Sequence, residues 1–436
     1  MYRRIKIDLK EWKSRTNRKP LILLGARQVG KTYIVKEFGN EEFDTFIYIN
    51  CHQSTEAIEL FRDMDTKRIR REIERLYDKK IVNGKTLLFF DEIQEVVNGI
   101  ASLKYFCEEE PQLHVIVAGS LLGISLREGE SYPVGKVETL RMYPMDFMEF
   151  LLARGRKGLV EMLENLEWDT MKLADKDLTE YLREYYFTGG MPEAVKEYIS
   201  SGDVHKVRKI QQDIIDAYYR DISKHTKALA TRIHQVWESI PAQLAKENKK
   251  FIYGAIRTGA RASQFEMALQ WLHDAGLIHK VELAKKPVMP LKFYADVSAF
   301  KVYLLDCGLL ACMSEADPNK MLIGDNAFVE FKGALTENFV LQQIKSLDRI
   351  PVYYYSKENS QLEIDFIAQT DRVIPIEVKA EENAKSKSLS TFVRIENADK
   401  NLKGLRLSMK PYIDQDWMEN IPLYAIIGYL KKSFNG

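Results

Sequence analysis

Four residues in two short stretches could carry out phosphate chemistry. Lys31 and Thr32 close the run Gly25-Ala26-Arg27-Gln28-Val29-Gly30-Lys31-Thr32, and Asp91 and Glu92 follow directly on Thr86-Leu87-Leu88-Phe89-Phe90. A lysine at the end of a glycine-punctuated loop reaches β- and γ-phosphates as a point charge, and the hydroxyl after it ligates Mg²⁺. The two glycines let the backbone bend tightly and aim its N–H groups inward. An aspartate elsewhere holds the same ion through water, and a glutamate beside it orients and deprotonates an attacking water. Adjacent buried carboxylates repel each other unless a cation answers them, so the Asp-Glu pair itself asks for a metal.

The elements that must position these groups can be read around them. Leu21-Ile22-Leu23-Leu24 is an apolar run of strand length, and Tyr33 to Phe38 is amphipathic and predicts a helix. Strand, loop and helix in that order are what a Walker A loop requires, with the positive end of the helix dipole facing the phosphates. Thr86 to Phe90 has the continuous apolar character of a parallel strand buried on both faces, ending in acids where a ligand crevice lies, which makes it a Walker B element. Thr45 to Asn50 predicts a further strand, and Leu113 to Ala118 another, with Ser120 just past its end as a candidate sensor of the γ-phosphate or lytic water. Catalytic roles fall to Lys31, Glu92 and Ser120. Gly25, Gln28, Val29, Gly30, Lys31 and Thr32 would bind ATP or ADP, and Thr32 and Asp91 would hold Mg²⁺. Arg127 and Arg141 flank the loop Gly129 to Gly135, each a candidate arginine finger or a surface ion-pair partner.

The strand and helices between the two motifs, followed by a strand that ends in the sensor, resemble the additional-strand, catalytic-glutamate class of P-loop ATPases. Phe187-Thr188-Gly189-Gly190-Met191-Pro192-Glu193 adds a close turn and a proline suited to a helix start. Together, Gly-Ala-Arg-Gln-Val-Gly-Lys-Thr, Phe-Phe-Asp-Glu-Ile-Gln, Ala-Gly-Ser and Gly-Gly-Met-Pro-Glu resemble the prokaryotic AAA-type ATPases that carry a C-terminal domain of unknown function, and the resemblance covers essentially the whole chain. In related signalling ATPases a Gly-x-Pro in the helical lid touches the adenine, so the resemblance implies that role for Pro192.

Further along, helical sequence from Ile233, a second helix over Ala260 to Leu272, a stop at Gly276 and a strand from Leu277 to Leu283 resemble a winged helix. Leu244 to Lys292 holds nine Lys or Arg against four Asp or Glu. Such a surplus can engage phosphates, but a lid packed on the nucleotide domain accounts for the segment equally well.

Two apolar strands, Leu362 to Ala368 and Val373 to Lys379, are joined by a short polar turn at Thr370 to Arg372 and predict a hairpin. Strand alternation puts Glu377 and Lys379 on one face and Ile376 and Val378 on the other. An Asp followed by Glu-x-Lys on the paired strand resembles the PD-(D/E)xK nuclease fold, although Ile364 stands where that pattern has a proline. By that resemblance Asp365 and Glu377, with Glu337 on the preceding helix, are ligands of Mg²⁺ or Mn²⁺, and Lys379 is the catalytic lysine. The bland alternative is a cross-strand Glu377–Lys379 ion pair. Residues 380–391 are polar and predict a loop.

At 436 residues the chain exceeds one ordinary core. The expected fold class is α/β: a P-loop ATPase domain with a parallel sheet over residues 1–155, a helical lid over 156–228, a winged-helix-like domain over 229–300 and an α/β nuclease-like domain over 301–436. With 45% hydrophobic and 29% charged residues the composition is that of a soluble globular protein, and a net charge of +1 points to no partner. No apolar run approaches the ~20 residues a bilayer needs, and no apolar stretch follows the basic N-terminus, so neither a membrane span nor a signal peptide is expected and the cytoplasm is the expected location. The four cysteines lack Cys-x-x-Cys spacing, and no histidine pair has helical ligand spacing, which argues against a zinc site. Residues 2–19 carry eight Lys or Arg against two acids, with Ile5, Leu9 and Trp12 at helical spacing. The expected function is an ATP-hydrolysing switch coupled to a DNA-handling, nuclease-like domain. The alternative is a signalling or defence protein whose nuclease-like domain is inactive and serves a protein partner or self-association.

Overall fold

The computed structural model describes residues 1–52, 55–119, 132–224, 226–246, 249–323, 329–348, 350–358, 360–380, 385–396 and 402–435. The chain divides into two compact units, one made of residues 2–143 with 274–276 and the other of residues 1, 144–273 and 277–436.

The first unit is built on β1 (Leu21–Leu24), β2 (Thr45–Asn50), β3 (Thr86–Asp91), β4 (His114–Ala118) and β5 (Glu138–Arg141), in the order β2-β3-β4-β1-β5. All four pairings are parallel. β4 therefore stands between the strand that enters the glycine loop and the strand that ends in Asp91, the additional strand expected from the sequence. Every residue of β3 is buried, because helices cover both faces of a parallel sheet and leave no solvent side to alternate toward. The helix Ile5–Ser14 buries Ile5, Leu9 and Trp12, and the Trp12 indole N–H donates to the Lys19 carbonyl at 2.9 Å, fixing the approach to β1.

The second unit begins with helices, among them Asp175–Thr188, Pro192–Ser201 and Val204–Ile222. Then Lys227–Leu244 and Ala262–Asp274 precede the hairpin β6 (Ile278–Ala284) and β7 (Ala295–Leu304). The helix-helix-strand order matches the expectation for this stretch. The hairpin, however, joins a larger sheet through a parallel bridge from Leu283 to Tyr354, and β7 runs across residue 300, where the sequence suggested a boundary. With β8 (Val352–Ser356), β9 (Glu363–Gln369), β10 (Val373–Val378), β11 (Gly404–Ser408), β12 (Ile413–Gln415) and β13 (Met418–Pro422), the sheet has eight strands among the described residues, in the order β12-β13-β11-β10-β9-β8-β6-β7. β8, β9 and β10 form an antiparallel meander, and β11 lies parallel to β10. The helix Val329–Ser346 precedes β8, and Lys387–Thr391 is helical where a loop was expected.

The turn Gly189-Gly190 is a joint inside this unit. A Cβ on Gly189 would come within 2.1 Å of Asp306 Oδ1, and one on Gly190 within 2.0 Å of the Met145 carbonyl oxygen. Asp306 is fully buried, accepts from the Gly190 N–H at 2.6 Å and from Gln342 Nε2 at 3.0 Å, and caps the helix Cys307–Met313 through the Leu309 N–H.

Candidate active site

The loop between β1 and the helix Lys31–Glu42 is shaped by its glycines. Gly25 (φ 155°) passes so close to the end of β5 that a Cβ would sit 2.3 Å from the Met142 carbonyl oxygen, and Gly30 takes φ 97° directly before the helix. No described side chain caps that helix, so its first N–H groups face the loop as an anion cradle. Gln28 also takes positive φ (67°), a conformation that turns neighbouring N–H groups toward one side. Arg3 braces the loop from outside, donating to the Val29 carbonyl at 2.7 Å and to the Tyr143 carbonyl at 2.6 Å.

Lys31 is 7% exposed, and its Nζ donates to the carbonyls of Gly25 and Ala26 at 2.8 and 2.9 Å. Burial pulls its pKa down to about 8, against the opposing pull of Glu92 and Asp91. A phosphate would supply the negative charge that burial withholds. Thr32 Oγ1 donates to Asp91 Oδ2 at 2.7 Å, and the Tyr48 hydroxyl approaches the same oxygen at 3.3 Å. Burial raises the Asp91 carboxyl, the Thr32 bond opposes that rise and the Glu92 charge adds to it. A hydroxyl and a buried carboxylate that meet at one point are a hard-oxygen donor pair of the kind Mg²⁺ takes, so these residues fit the ion. Glu92 sits in a left-handed conformation (φ 53°) that turns its side chain out of the strand, and Gln94 Nε2 donates to its Oε2 at 2.5 Å. β4 ends at Ala118, level with both Leu23 and Asp91, so the chain enters Gly119 between the two motifs. Ser120 and Arg127 lie outside the described residues. Arg141 ends β5, level with Leu24, and is exposed.

Arg3, Tyr48 and Gln94 were not singled out from the sequence. Gln94 lies within the motif and Arg3 within the basic N-terminal stretch, but nothing in their spacing announces a contact. Lys36, whose Nζ lies 3.6 Å from the Tyr48 ring centroid, is a fourth such residue.

The second group of expected site residues lies in the other unit. Glu337 and Glu377 are 6% and 3% exposed. Glu337 Oε1 pairs with Lys249 Nζ, and its Oε2 accepts from the Tyr303 hydroxyl at 2.9 Å. Asp365 Oδ2 accepts from the Val378 N–H at 2.7 Å. Burial, reinforced by the Glu337 charge, pushes the Asp365 carboxyl up to about 7. Lys301, 1% exposed, pairs with Glu363. Lys379 Nζ lies 3.2 Å from Glu377 Oε1, an ion pair along one strand segment and not across two strands, and its carboxylate is buried; Glu377 Oε2 is buried without a hydrogen-bond partner. Among the described residues, no three acidic, histidine or cysteine side chains are grouped so as to hold a metal ion.

Residues 17–151 match the family described as AAA domain. Most of that match falls within the first unit. Residues 179–320 and 332–426 match two families described only as domains of unknown function (DUF8612 and DUF4143). Comparison with curated proteins gives no match. Among solved structures, the chain is similar to the Walker-type ATPase PABY2304 of Pyrococcus abyssi, at 17% identity over 71% of this chain and 94% of that chain, with a TM-score of 0.44. Among the described residues no helix is long and apolar enough to cross a membrane.

Proposed function

We propose that the protein is a Mg²⁺-dependent, ATP-hydrolysing switch that governs a DNA-handling module formed by its C-terminal third. The observation that carries the ATPase part is the Thr32–Asp91 hydrogen bond, which brings the two motifs to one point beside Lys31. Mg²⁺, which Thr32 and Asp91 would hold, would neutralise negative charge that develops on the phosphates during transfer. Lys31 exchanges its two loop carbonyls for phosphate oxygens, and the N–H groups from Gln28 to Thr32 orient the chain of phosphates. Thr32 and Asp91 would present their oxygens to the ion. Glu92 accepts a proton from the attacking water, with Gln94 steadying its carboxylate, and Ser120 hydrogen-bonds the γ-phosphate. In the same reading Pro192 lies against the adenine, and Arg141 or Arg127 supplies a finger.

The order helix, three-stranded meander, helix and parallel strand supports a nuclease-like reading of residues 329–408, with Asp365, Glu377, Glu337 and Lys379 on the elements that fold requires. The helix-helix-hairpin order and local basic surplus support a winged-helix role for residues 229–300 in DNA contact. The rival reading, an interaction protein whose nuclease-like domain is inactive, is favoured by the lysines already paired with Glu337 and Glu363. Phosphate release by the full chain, with and without single- and double-stranded DNA, tests the proposal. ATP hydrolysis that vanishes in Lys31→Ala and rises with DNA is the expected result. Turnover unchanged in Lys31→Ala refutes the ATPase reading, and a rate indifferent to DNA that also fails to bind the chain favours the rival.

A further inference from the structure

We infer that Lys249 and Lys301, as ammonium groups, stand where a divalent cation would be needed, so that the C-terminal module engages nucleic acid without cutting it. The inference rests on the nuclease-like reading of that module. Three carboxylates converge around these lysines from two elements: Glu337 from the helix Val329–Ser346, and Glu363 and Asp365 from β9. Each is answered from within the protein. Lys249 and the Tyr303 hydroxyl take the two oxygens of Glu337, Lys301 takes Glu363, and the Val378 N–H takes one oxygen of Asp365.

The charges of the two lysines reach the whole group. Lys301 acts on Glu337, Glu363 and Asp365, and Lys249 acts on Glu337 and Asp365. Two ammonium groups thus offset three carboxylates and leave at most one negative charge. A divalent ion entering here would face two fixed cations at close range, where repulsion is strong because the site is largely dry. The remaining acid, Glu377, has its charge matched by Lys379. Its free oxygen, Oε2, is a single donor, short of the six or more oxygens that Mg²⁺ or Mn²⁺ gathers. The contrast with Asp91 is instructive: there the nearest partners are neutral hydroxyls, which a cation can displace without repulsion. Lys301 could not leave easily, since its ammonium also lies 5.0 Å from the centroid of the Tyr354 ring.

The test counts bound Mn²⁺ by electron paramagnetic resonance in the full chain carrying Thr32→Ala and Asp91→Asn, which removes the nucleotide-site ion. No bound Mn²⁺ is expected. Adding Lys249→Met and Lys301→Met should create about one site per chain, lost again with Glu337→Gln. One bound Mn²⁺ before either lysine is changed, lost with Glu337→Gln or Asp365→Asn, overturns the inference. Should the lysine variants fail to fold by circular dichroism, nicking of plasmid DNA by the unaltered protein in Mn²⁺ decides. No nicking upholds the inference, and nicking abolished by Glu377→Gln overturns it. Anisotropy of a fluorescent oligonucleotide reports separately on the DNA-handling reading: its failure to rise with protein ends that reading and leaves the Mn²⁺ count to judge the lysines.

Discussion

Thr32 Oγ1 and Asp91 Oδ2 lie 2.7 Å apart, joining the first turn of the helix after the glycine loop to the end of a strand two places away in the sheet. Each group alone is a common polar residue; together they define where an ion can sit. Thr32→Ala should therefore lower Mg²⁺-dependent ATP hydrolysis by about 100-fold while leaving Mg²⁺-free ADP affinity nearly unchanged. Isothermal titration with and without the ion separates the two effects. Equal loss in both conditions would assign Thr32 to the phosphates and not to the metal.

Glu92 leaves the strand in a left-handed conformation and receives the Gln94 amide. Glu92→Gln should keep ATP affinity and reduce turnover by about 100-fold or more, as removal of a general base does. Gln94→Ala should lower kcat several-fold with KM nearly constant, because a positioning contact acts on the step after binding. A rise in KM alone would place Gln94 in substrate binding.

Arg3 is buried, and its guanidinium spans the Val29 and Tyr143 carbonyls. Its removal strands both acceptors, at a cost of about 1–3 kcal/mol, and loosens the loop that must present its N–H groups to phosphate. Arg3→Ala should weaken ATP binding by about tenfold and lower the melting temperature, with Arg3→Lys recovering only part, since a lysine cannot span two acceptors in a planar fork.

His114 opens β4 between Trp12, whose ring centroid is 5.6 Å away, and Phe43, at 4.8 Å, with Arg18 facing its Nδ1 at 3.4 Å. Burial, with the Arg18 charge, holds its pKa down at about 4. The unfolded chain binds this proton near pH 6.5 and the folded chain does not, so stability falls as pH drops from about 6.5 to 4, by up to about 3 kcal/mol. Denaturant melts across that window should show the slope, and His114→Phe should flatten it.

The candidate nucleotide site was readable because phosphate chemistry fixes residue types at fixed spacing, and because a strand buried on both faces leaves an unbroken apolar run. Leu21 to Thr32 and Thr86 to Glu92 meet both conditions. Arg3, Tyr48 and Lys36 meet neither, since a side chain that reaches across the fold leaves no periodicity along the chain. The same reason hid the eight-stranded sheet. Local pattern marks the strand that becomes β6 but says nothing of β7 as its partner or of Tyr354 as the neighbour of Leu283. Strand alternation placed Glu377 and Lys379 on one side, yet the pairing of Lys249 with Glu337 belongs to the tertiary fold alone. The Gly189-Gly190 pair was legible as a close turn, but the neighbours that the turn clears space for, Asp306 and Met145, belong to the tertiary fold.

That joint yields a stability prediction. Gly189 takes φ 68°, and a methyl group there would meet Asp306 Oδ1 at 2.1 Å. Asp306 cannot retreat without releasing the Gly190 N–H and Gln342. Gly189→Ala should therefore destabilise the chain by about 3 kcal/mol or more, seen as a lower denaturation midpoint. Asp306→Ala in the same background should not restore stability, because it strands the donors that the carboxylate now satisfies.

Asp365 gives the opposite sign. Its carboxyl is raised to about 7, first by burial and then by the Glu337 charge, so the folded chain holds a proton that the unfolded chain has released by pH 5. The favourable contribution is complete below about pH 4 and is lost as pH rises through 7. Asp365→Asn keeps an acceptor for the Val378 N–H and removes the charge. In chelator, it should match the parent protein near pH 4 and exceed it by up to about 4 kcal/mol at pH 8, a stabilisation conferred by deleting an ionisable group. Thermal melts at the two pH values test this. A variant less stable than the parent at pH 8 would mean that the Asp365 charge is favourably paired in the folded protein.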